Sequence, residues 1–354
     1  MMLGMRVSAW LAAVVVLVSS PPANQTTYDI AVAATGESGE GIYVMRGDGS
    51  NATLLRAESG ALLTPASWSP DGTRIAYPWF DVGPDGRLAD TSLPLHTPLY
   101  VLNSDGSGRE RLPDMPVEMF FRWSPDGRRL AISSGFEDPE RTKNPSTLSE
   151  LLSVRVAIYV VDLQTRKANR VTPFGQNRFP SWSPDGRRIV FSGEIETRNT
   201  DILVVDADGQ NLRRLTTAPT DEADPEWSPQ GDRIAYVAPS TAGTGNGIFV
   251  MNADGSGARR ISAQRAEGVT WSPDGAHLLA GSSLIKVATG EATEPLPKAA
   301  LDPMFGPDGR AIHYRLRDAG SKPSWSIFSV DLQGQNVRKI ASAVTFFSVG
   351  PMKK

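Results

Sequence analysis

The sequence contains no cysteine. This absence excludes disulfide bonds, Cys-ligated zinc, iron–sulfur clusters and catalysis by a thiol, and it also excludes a lipid anchor attached through cysteine. Histidine is scarce as well, with three in 354 residues. The chain therefore lacks the side chains on which thiolate chemistry and histidine-rich metal centres depend.

The chain also lacks an excess of charge of one sign. Its 36 Lys and Arg residues stand against 39 Asp and Glu residues, for a formal net charge of −3. Proteins that bind nucleic acid or anionic membranes need clustered basic side chains. We therefore expect no nucleic-acid partner and no insertion of the mature domain into a membrane.

Long apolar runs are absent except at the N-terminus, where residues 9–18 follow Arg6. A run of about ten residues is too short to span a bilayer but has the length of a signal-peptide core. The small residues Ser19, Ser20 and Ala23 come next. The pattern predicts a signal peptide over residues 1–23, with an uncleaved N-terminal anchor as the alternative, and hence export to the periplasm or beyond the cell.

A phrase of five residues is repeated along the rest of the chain. Trp-Ser-Pro-Asp/Gln-Gly begins at Trp68, Trp123, Trp182, Trp227 and Trp271, and a degenerate form begins at Phe305. Each copy precedes a short apolar stretch, a second phrase such as IFVMNADGSG, and a short basic–apolar piece. Four strand-like runs separated by turns and recurring at a fixed period are typical of a propeller blade. The sequence predicts an all-β protein, a single β-propeller of four-stranded blades.

The repeated phrases have a mechanical interpretation. Proline sets the first corner of a tight turn, aspartate bonds to its own backbone, and glycine takes the left-handed position that closes the turn. Ser-Pro-Asp-Gly therefore predicts the hairpin between the innermost strand of a blade and its second strand. The tryptophan before it is expected to fill the wedge between adjacent blades.

The number of blades follows from the two ends of the chain. Residues 29–56 supply three strands before the first tryptophan phrase, and residues 344–349 supply one orphan strand after the last. Together they would complete a seventh blade and close the ring. Over residues 28–349, seven units need about 46 residues each and six need about 54, while blade repeats run about 40–50 residues. Seven blades are favoured, with six as the alternative.

These phrases resemble the propeller repeats of the TolB-type family, which are shared with the propellers of prolyl-oligopeptidase-like enzymes. The resemblance covers residues 28–349. TolB itself carries an α/β domain ahead of a six-bladed propeller, whereas the repeat here begins at Tyr28 and counts seven units. The resemblance thus implies an exported, WD-like repeat protein that lacks the α/β N-terminal domain of TolB.

Motifs for chemistry are hard to find. The sequence has no Gly-x-Ser-x-Gly nucleophile motif and no phosphate-binding loop. His277 and His313 fall on second strands of different blades and His96 falls in a loop, so we expect structural roles and no metal site. Asp-Gly turns such as Asp206–Gly209 lack the glutamate that completes an EF-hand. No catalytic residue and no cofactor is predicted.

Two insertions mark one face of the predicted disc. Residues 81–97 in blade 2 follow Trp79 and Phe80 and end near His96, and residues 137–155 lie in blade 3. Both emerge on the face that carries the connections between blades. Long loops on a rigid scaffold commonly carry binding, although neutral variation of surface loops is the alternative.

The mouth of the central channel opens on the same face. The residues three positions before each tryptophan, or before its equivalent, stand at the entrance of the innermost strands. They are Pro65, Phe120, Phe179, Asp224, Gly268, Asp302 and Val344. Arg178 precedes Phe179, and Asp224 is surrounded by Asp221, Glu222 and Glu226. An acidic rim interrupted by aromatic residues suits a cationic peptide segment or a small ligand, and a solvated acidic loop is the alternative.

The functional hypothesis is a monomeric, non-enzymatic binding or scaffold propeller that mediates interaction with a protein, peptide or glycan partner. Its candidate binding residues are Trp79, Phe80, His96, Phe120, Arg178, Phe179, Asp221, Asp224 and Asp302. The first alternative is an enzyme, a polysaccharide lyase or glycan hydrolase that uses acids at the channel mouth such as Asp224 and Asp302. The second is a purely structural module of a larger complex. Convergence of acid, base and stabilising group on one substrate position would favour the enzyme.

Overall fold

The computed structural model describes residues 29–36, 39–57, 60–61, 66–78, 80–81, 98–112, 120–135, 155–194, 199–238, 247–319, 324–342, 344–349 and 351–352. These residues form 30 strands, numbered here in chain order. The first half of the chain contains β1 (Asp29–Gly36), β2 (Gly39–Arg46), β3 (Thr53–Ala57), β4 (Gly60–Ala61), β5 (Ser67–Trp68), β6 (Arg74–Pro78), β7 (Phe80–Asp81), β8 (Leu99–Asn103), β9 (Glu110–Arg111), β10 (Phe121–Trp123), β11 (Arg129–Ser134), β12 (Ala157–Asp162), β13 (Ala168–Arg170) and β14 (Arg178–Trp182). The second half contains β15 (Arg188–Gly193), β16 (Asp201–Asp206), β17 (Arg213–Arg214), β18 (Ala223–Trp227), β19 (Arg233–Ala238), β20 (Gly247–Asn252), β21 (Arg259–Ser262), β22 (Thr270–Trp271), β23 (His277–Ala280), β24 (Ser283–Lys286), β25 (Ala292–Thr293), β26 (Leu301–Phe305), β27 (Ala311–Arg317), β28 (Trp325–Asp331), β29 (Arg338–Ala341) and β30 (Val344–Val349).

The strands form seven four-stranded antiparallel sheets, which are the blades of a β-propeller. Blades 2 to 7 begin with innermost strands β5, β10, β14, β18, β22 and β26, each followed outward by the next strands of the chain, except that blade 2 omits β7. Blade 1 has the order β3-β2-β1-β30, so the last strand of the chain is its innermost strand. The prediction of seven blades closed by residues 344–349 is confirmed.

The Ser-Pro-Asp-Gly phrases form the hairpin between the first and second strands, as predicted. In blade 4 the Ser183 hydroxyl donates to Asp185 at 2.5 Å, and Gly186 takes a φ of +68°. The pKa of Asp185 is lowered, chiefly by this hydrogen bond. Blade 5 has glutamine at the aspartate position, and there the Ser228 hydroxyl donates to Asp232 at 2.8 Å instead. A carboxylate two residues further along thus completes the same turn.

The turn tryptophans are buried between blades, as predicted. Trp182 is 7% exposed and packs in one apolar cluster with Ala131 and Ile158 of the preceding blade. Its indole N–H donates to the Arg122 carbonyl of that blade at 3.1 Å. The equivalent bonds join Trp123 to Ser67 and Trp271 to Glu226, both at 3.0 Å.

In blades 2 to 5, an arginine at the start of the second strand covers the tryptophan of the next blade. The guanidinium carbons lie 4.8–5.2 Å from the ring centroids in four pairs: Arg74–Trp123, Arg129–Trp182, Arg188–Trp227 and Arg233–Trp271. Arg129 also donates to the Gly186 carbonyl at 3.0 Å. In blade 6 this position holds His277, and the next blade has Phe305 in place of tryptophan. The arginine and the tryptophan therefore act as one inter-blade unit.

The antiparallel order places the turns between first and second strands, and between third and fourth strands, on one face of the disc. The connections between blades lie on the other, here called the loop face. On the loop face β4 pairs with β7, an additional two-stranded ribbon that the repeat pattern did not predict.

Residues 82–97 and 136–154, which carry most of the two insertions, lie outside the described residues, as does the predicted signal peptide. Within the described part of the chain, no helix is long and apolar enough to cross a membrane.

Candidate binding site at the channel mouth

Three innermost strands are bulged where they reach the channel mouth. The pairing register shifts between Arg178 and Ser181 in β14, and equivalent shifts occur in β18 and β26. Each bulge contains an X-Pro pair: Phe179-Pro180, Asp224-Pro225 and Asp302-Pro303. Proline has no N–H to donate, so the ladder to the second strand is interrupted at that point and the strand bends.

The residue before each of these prolines has a left-handed backbone. The φ angles are +55° for Phe179, +49° for Asp224 and +47° for Asp302. Residues with a Cβ adopt this region at an energetic cost of about 1–3 kcal/mol, and such residues cluster at functional sites. Three equivalent strained residues around one channel therefore direct attention to the mouth.

A cavity of about 450 Å³ lies at this mouth. Five successive blades contribute to it through Arg122 (blade 3), Phe179 (blade 4), Asp224 (blade 5), Gly268 (blade 6) and Asp302 (blade 7). The volume is within the range of small-molecule sites in proteins. The structure thus brings together three of the residues selected from the sequence, namely Phe179, Asp224 and Asp302.

Asp224 and Glu226 form a carboxyl pair inside the cavity. The Val269 N–H donates to Asp224 Oδ2 at 3.1 Å, and the Trp271 N–H donates to Glu226 Oε2 at 3.3 Å. Both side chains line the cavity and are half-buried. Burial raises the pKa of Asp224. Burial, together with the charge of Asp224, raises the pKa of Glu226 to about 8.

The remaining mouth residues form an ion pair and an aromatic pair. Asp302 pairs with the guanidinium of Arg315, whose side chain is 8% exposed. Phe120 packs against Phe179 with their ring centroids 4.2 Å apart. The mouth therefore offers an apolar wall next to charged groups.

Of the other candidates from the sequence, the described residues Arg178 and Asp221 do not line this cavity. Arg178 donates to the side chain of Gln176, and Asp221 accepts the Thr200 N–H at 2.9 Å. Trp79 and His96 lie outside the described residues, and Phe80 belongs to β7, where its side chain is not described. The role of these five residues in binding stays a prediction.

Arg122 and Glu226 are site residues that the candidate list omitted. Each directly precedes the tryptophan of its phrase, two positions after the residues that were selected. Ser181 and Thr270 occupy the equivalent positions in blades 4 and 6 and line the same cavity. Comparing the residue that directly precedes each tryptophan across the repeats identifies this second set of cavity-lining positions.

The histidines of the described residues belong to the blades. His313 lies on β27 with no exposed surface, and burial lowers its pKa to about 4, which keeps the imidazole neutral. His277 starts β23 and lines a different cavity. Among the residues the structure describes, no group of three or more His, Asp or Glu side chains is arranged to hold a metal ion.

The raised pKa of Glu226 predicts that replacing it with glutamine stabilises the protein in alkaline solution. An unfolded glutamate loses its proton near pH 4.3, whereas folded Glu226 keeps it until about pH 8. Its contribution to stability is complete below pH 4.3 and is lost as the pH rises towards 8. We expect Glu226→Gln to exceed the wild type by at least about 1 kcal/mol in free energy of unfolding at pH 8.5.

Urea melts at pH 5 and pH 8.5 measure this effect. The glutamine retains the acceptor for the Trp271 N–H, so the comparison isolates the charge. Glu267→Gln is the matched control, because it removes an exposed carboxylate that lines the same cavity. A gain for Glu226→Gln that is the same at both pH values would contradict the prediction.

Comparison with known proteins agrees with this architecture. The chain is 26% identical over 214 residues to the uncharacterized peptidase YuxL of Bacillus subtilis, covering 57% of this chain and 30% of that protein. It is 28% identical over 230 residues to the Tol-Pal system protein TolB of Francisella tularensis, covering 55% and 50%. The chain thus spans half or less of the length of these relatives.

Among solved structures, an oligogalacturonate lyase in complex with manganese superposes with a TM-score of 0.57 at 14% identity. The match covers 88% of this chain and 83% of that chain. At this identity the likeness shows the fold alone. The TolB beta propeller domain family matches residues 147–348. With its strand order, its turn phrases and this match, the chain belongs to the TolB β-propeller domain family.

Proposed function

We propose that this chain is an exported, monomeric, non-enzymatic propeller that holds a partner on its loop face, anchored in the cavity at the channel mouth. The observation that carries the proposal is the cavity of about 450 Å³ that five blades build around the strained residues Phe179, Asp224 and Asp302. Unlike the left-handed asparagines of the blade turns, these three residues lie in bulged strands at one end of the channel. Export is supported by the apolar run at residues 9–18.

The partner is proposed to be a protein or peptide that reaches into the mouth. The Phe120–Phe179 pair provides an apolar anchor of the kind that dominates interface energetics. Asp224 and Arg122 provide charged groups in the same cavity. The sequence predicts that the two insertions emerge on this face, where they would extend the contact.

Quantitative pull-down from the exported fraction of the source cells tests the proposal. Wild-type protein is compared with Phe179→Ala and Asp224→Asn, which alter the mouth, and with Gln333→Ala, an exposed residue in a turn of the opposite face. For a partner that binds at the channel mouth, the captured amount should fall at least tenfold with both mouth variants and stay unchanged with the control. Equal capture by all four proteins would reject the proposal.

The second candidate is an enzyme acting on glycans, and the carboxyl pair supports it. Two carboxyl groups with raised pKa values in one cavity suit general acid–base chemistry, with Arg122 available to stabilise negative charge. Turnover of oligogalacturonate or another glycan that Asp224→Asn abolishes, and Gln333→Ala does not, would establish this function and displace the binding proposal.

A further inference from the structure

Arg122 and the Asp224–Glu226 carboxyl pair line the same cavity without closing into an ion pair. Arg122 acts electrostatically on Asp224 and on Glu226. Among the residues the structure describes, no N···O distance of 4.0 Å or less joins Arg122 to either carboxyl group. Charges of opposite sign in a partly desolvated space attract strongly, so something must hold these apart.

Backbone groups restrain each side chain, from its own blade for Arg122 and from the following blade for Asp224 and Glu226. Arg122 donates to the Phe121 carbonyl at 3.1 Å, while Asp224 and Glu226 accept backbone N–H groups of blade 6. Arg122 lies on blade 3 and the carboxyl pair on blade 5, with blade 4 between them. The separation of charge is therefore built into the ring and needs no ligand to maintain it.

Gly268 fixes the position of the Asp224 carboxylate. A Cβ at this glycine would overlap Asp224 Oδ2, so any larger residue would push the carboxylate away from the Val269 N–H. The backbone of Gly268 has no left-handed φ, and the requirement for glycine is therefore one of space alone. Gly268 is a positioning residue for the acidic side of the cavity.

We propose that the cavity binds a zwitterionic group, with a ligand carboxylate against Arg122, a ligand ammonium against Asp224 and Glu226, and an apolar part against Phe179. This chemistry is that of an α-amino acid, or of a peptide segment that presents a basic and an acidic group side by side. The inference deepens the proposed function and rests on it, because it names the chemistry that the mouth would recognise.

The electrostatics of the pair agree with an ammonium ligand. Burial raises the pKa of both carboxyl groups, which means that the folded protein lacks a full counter-charge for them. A bound ammonium supplies that charge, and it favours release of the Glu226 proton at neutral pH. The ligand carboxylate in turn gives Arg122 a bidentate partner that none of the described residues provides.

Calorimetric titration with four probes tests the proposal. L-phenylalanine carries both charges, N-acetyl-L-phenylalanine only the carboxylate, and L-phenylalaninamide only the ammonium. The fourth probe, acetyl-Gly-Lys-Glu-Gly-amide, carries both charges on side chains. We expect a dissociation constant below about 1 mM for at least one doubly charged probe and at least tenfold weaker binding of both singly charged probes. Binding of the amino acid points to a small ligand, and binding of the peptide alone points to a partner segment.

Variants then assign the two charges. Arg122→Gln should reduce the ratio by which L-phenylalanine binds more tightly than L-phenylalaninamide. Gly268→Ala should reduce the ratio by which it binds more tightly than N-acetyl-L-phenylalanine. Gly175→Ala is the control, since it also adds a methyl group near the loop face, where a Cβ has ordinary contacts. Loss of selectivity in Gly175→Ala would indicate a general disturbance and overturn the assignment.

Other results overturn the inference and leave the proposed function distinguishable from it. Failure of all four probes, or equally tight binding of a singly charged probe, rejects a zwitterion site. The proposed partner binding would still stand if Phe179→Ala and Asp224→Asn abolished capture. Conversely, if the zwitterionic probes bind but Phe179→Ala and Asp224→Asn capture partners as well as the wild type does, the zwitterion site stands and the proposed partner binding at the mouth is rejected.

Discussion

Replacing Trp182 with alanine is expected to lower the free energy of unfolding by about 3–5 kcal/mol, as for other large aromatic side chains removed from cores. Its ring packs with buried residues of blade 3 and blade 4 and is 7% exposed. No neighbouring element can collapse into the space, because the second strands on both sides are fixed in their own ladders. The cavity therefore remains, and its cost adds to the lost burial.

The polar contacts of Trp182 make the expected loss larger than burial alone would. Its indole N–H donates to the Arg122 carbonyl, and the Arg129 guanidinium covers its face at 4.8 Å. Truncation leaves the carbonyl without this donor and Arg129 without its ring. Trp182→Phe is the informative partner variant, since it keeps most of the apolar contact and should lose about 1–2 kcal/mol.

Urea melts of the wild type, Trp182→Ala and Trp182→Phe measure these differences at constant pH. The loss of unfolding free energy should be larger for Trp182→Ala than for Trp182→Phe. The slope of the unfolding free energy against urea concentration should be similar in all three proteins. A loss below about 1 kcal/mol for the alanine variant would mean that the tryptophan does not hold blades 3 and 4 together.

The blades were predictable because turn chemistry is local. Proline, aspartate and glycine in one phrase determine a hairpin with little help from the rest of the chain, and six copies make the pattern certain. Ring closure was also predictable, because residues 29–56 supply three strands of a blade without its innermost strand, and residues 344–349 supply one strand that belongs to no other repeat. Even Gln230 fits the pattern once Asp232 is seen to supply the missing carboxylate.

The binding site was only partly predictable because it is assembled across the ring. Phe179, Asp224 and Asp302 could be selected by their position before each tryptophan, and all three line the cavity. Arg122 and Glu226 could not be paired from the sequence, since their relation depends on the width of the channel and on the bend at each X-Pro bulge. The ribbon of β4 and β7 has no repeat signal at all, because it joins two unrepeated segments.

Removing β30 is expected to have the largest effect of any single change, by opening the ring. In the intact protein Ile30↔Val349 and Ala34↔Val344 mark the two ends of its ladder with β1. Without it, β1 presents unpaired N–H and C=O groups towards the channel, and β1 becomes an exposed edge. Ile30 and Val32 also lose Val344 and Val349 from their apolar cluster.

A chain truncated after Ser342 should therefore lose more than about 5 kcal/mol, comparable to the total stability of many domains. We expect a broad or absent unfolding transition and rapid proteolysis of blade 1, measured by urea melts and limited digestion. Removal of residues 353–354 alone is the control, because it leaves β30 and Pro351 in place. A peptide of residues 343–352 added to the truncated chain should restore part of the transition, since the edge of β1 remains available to pair. An unfolding midpoint equal to that of the control would show that closure by β30 contributes nothing to the stability of the ring.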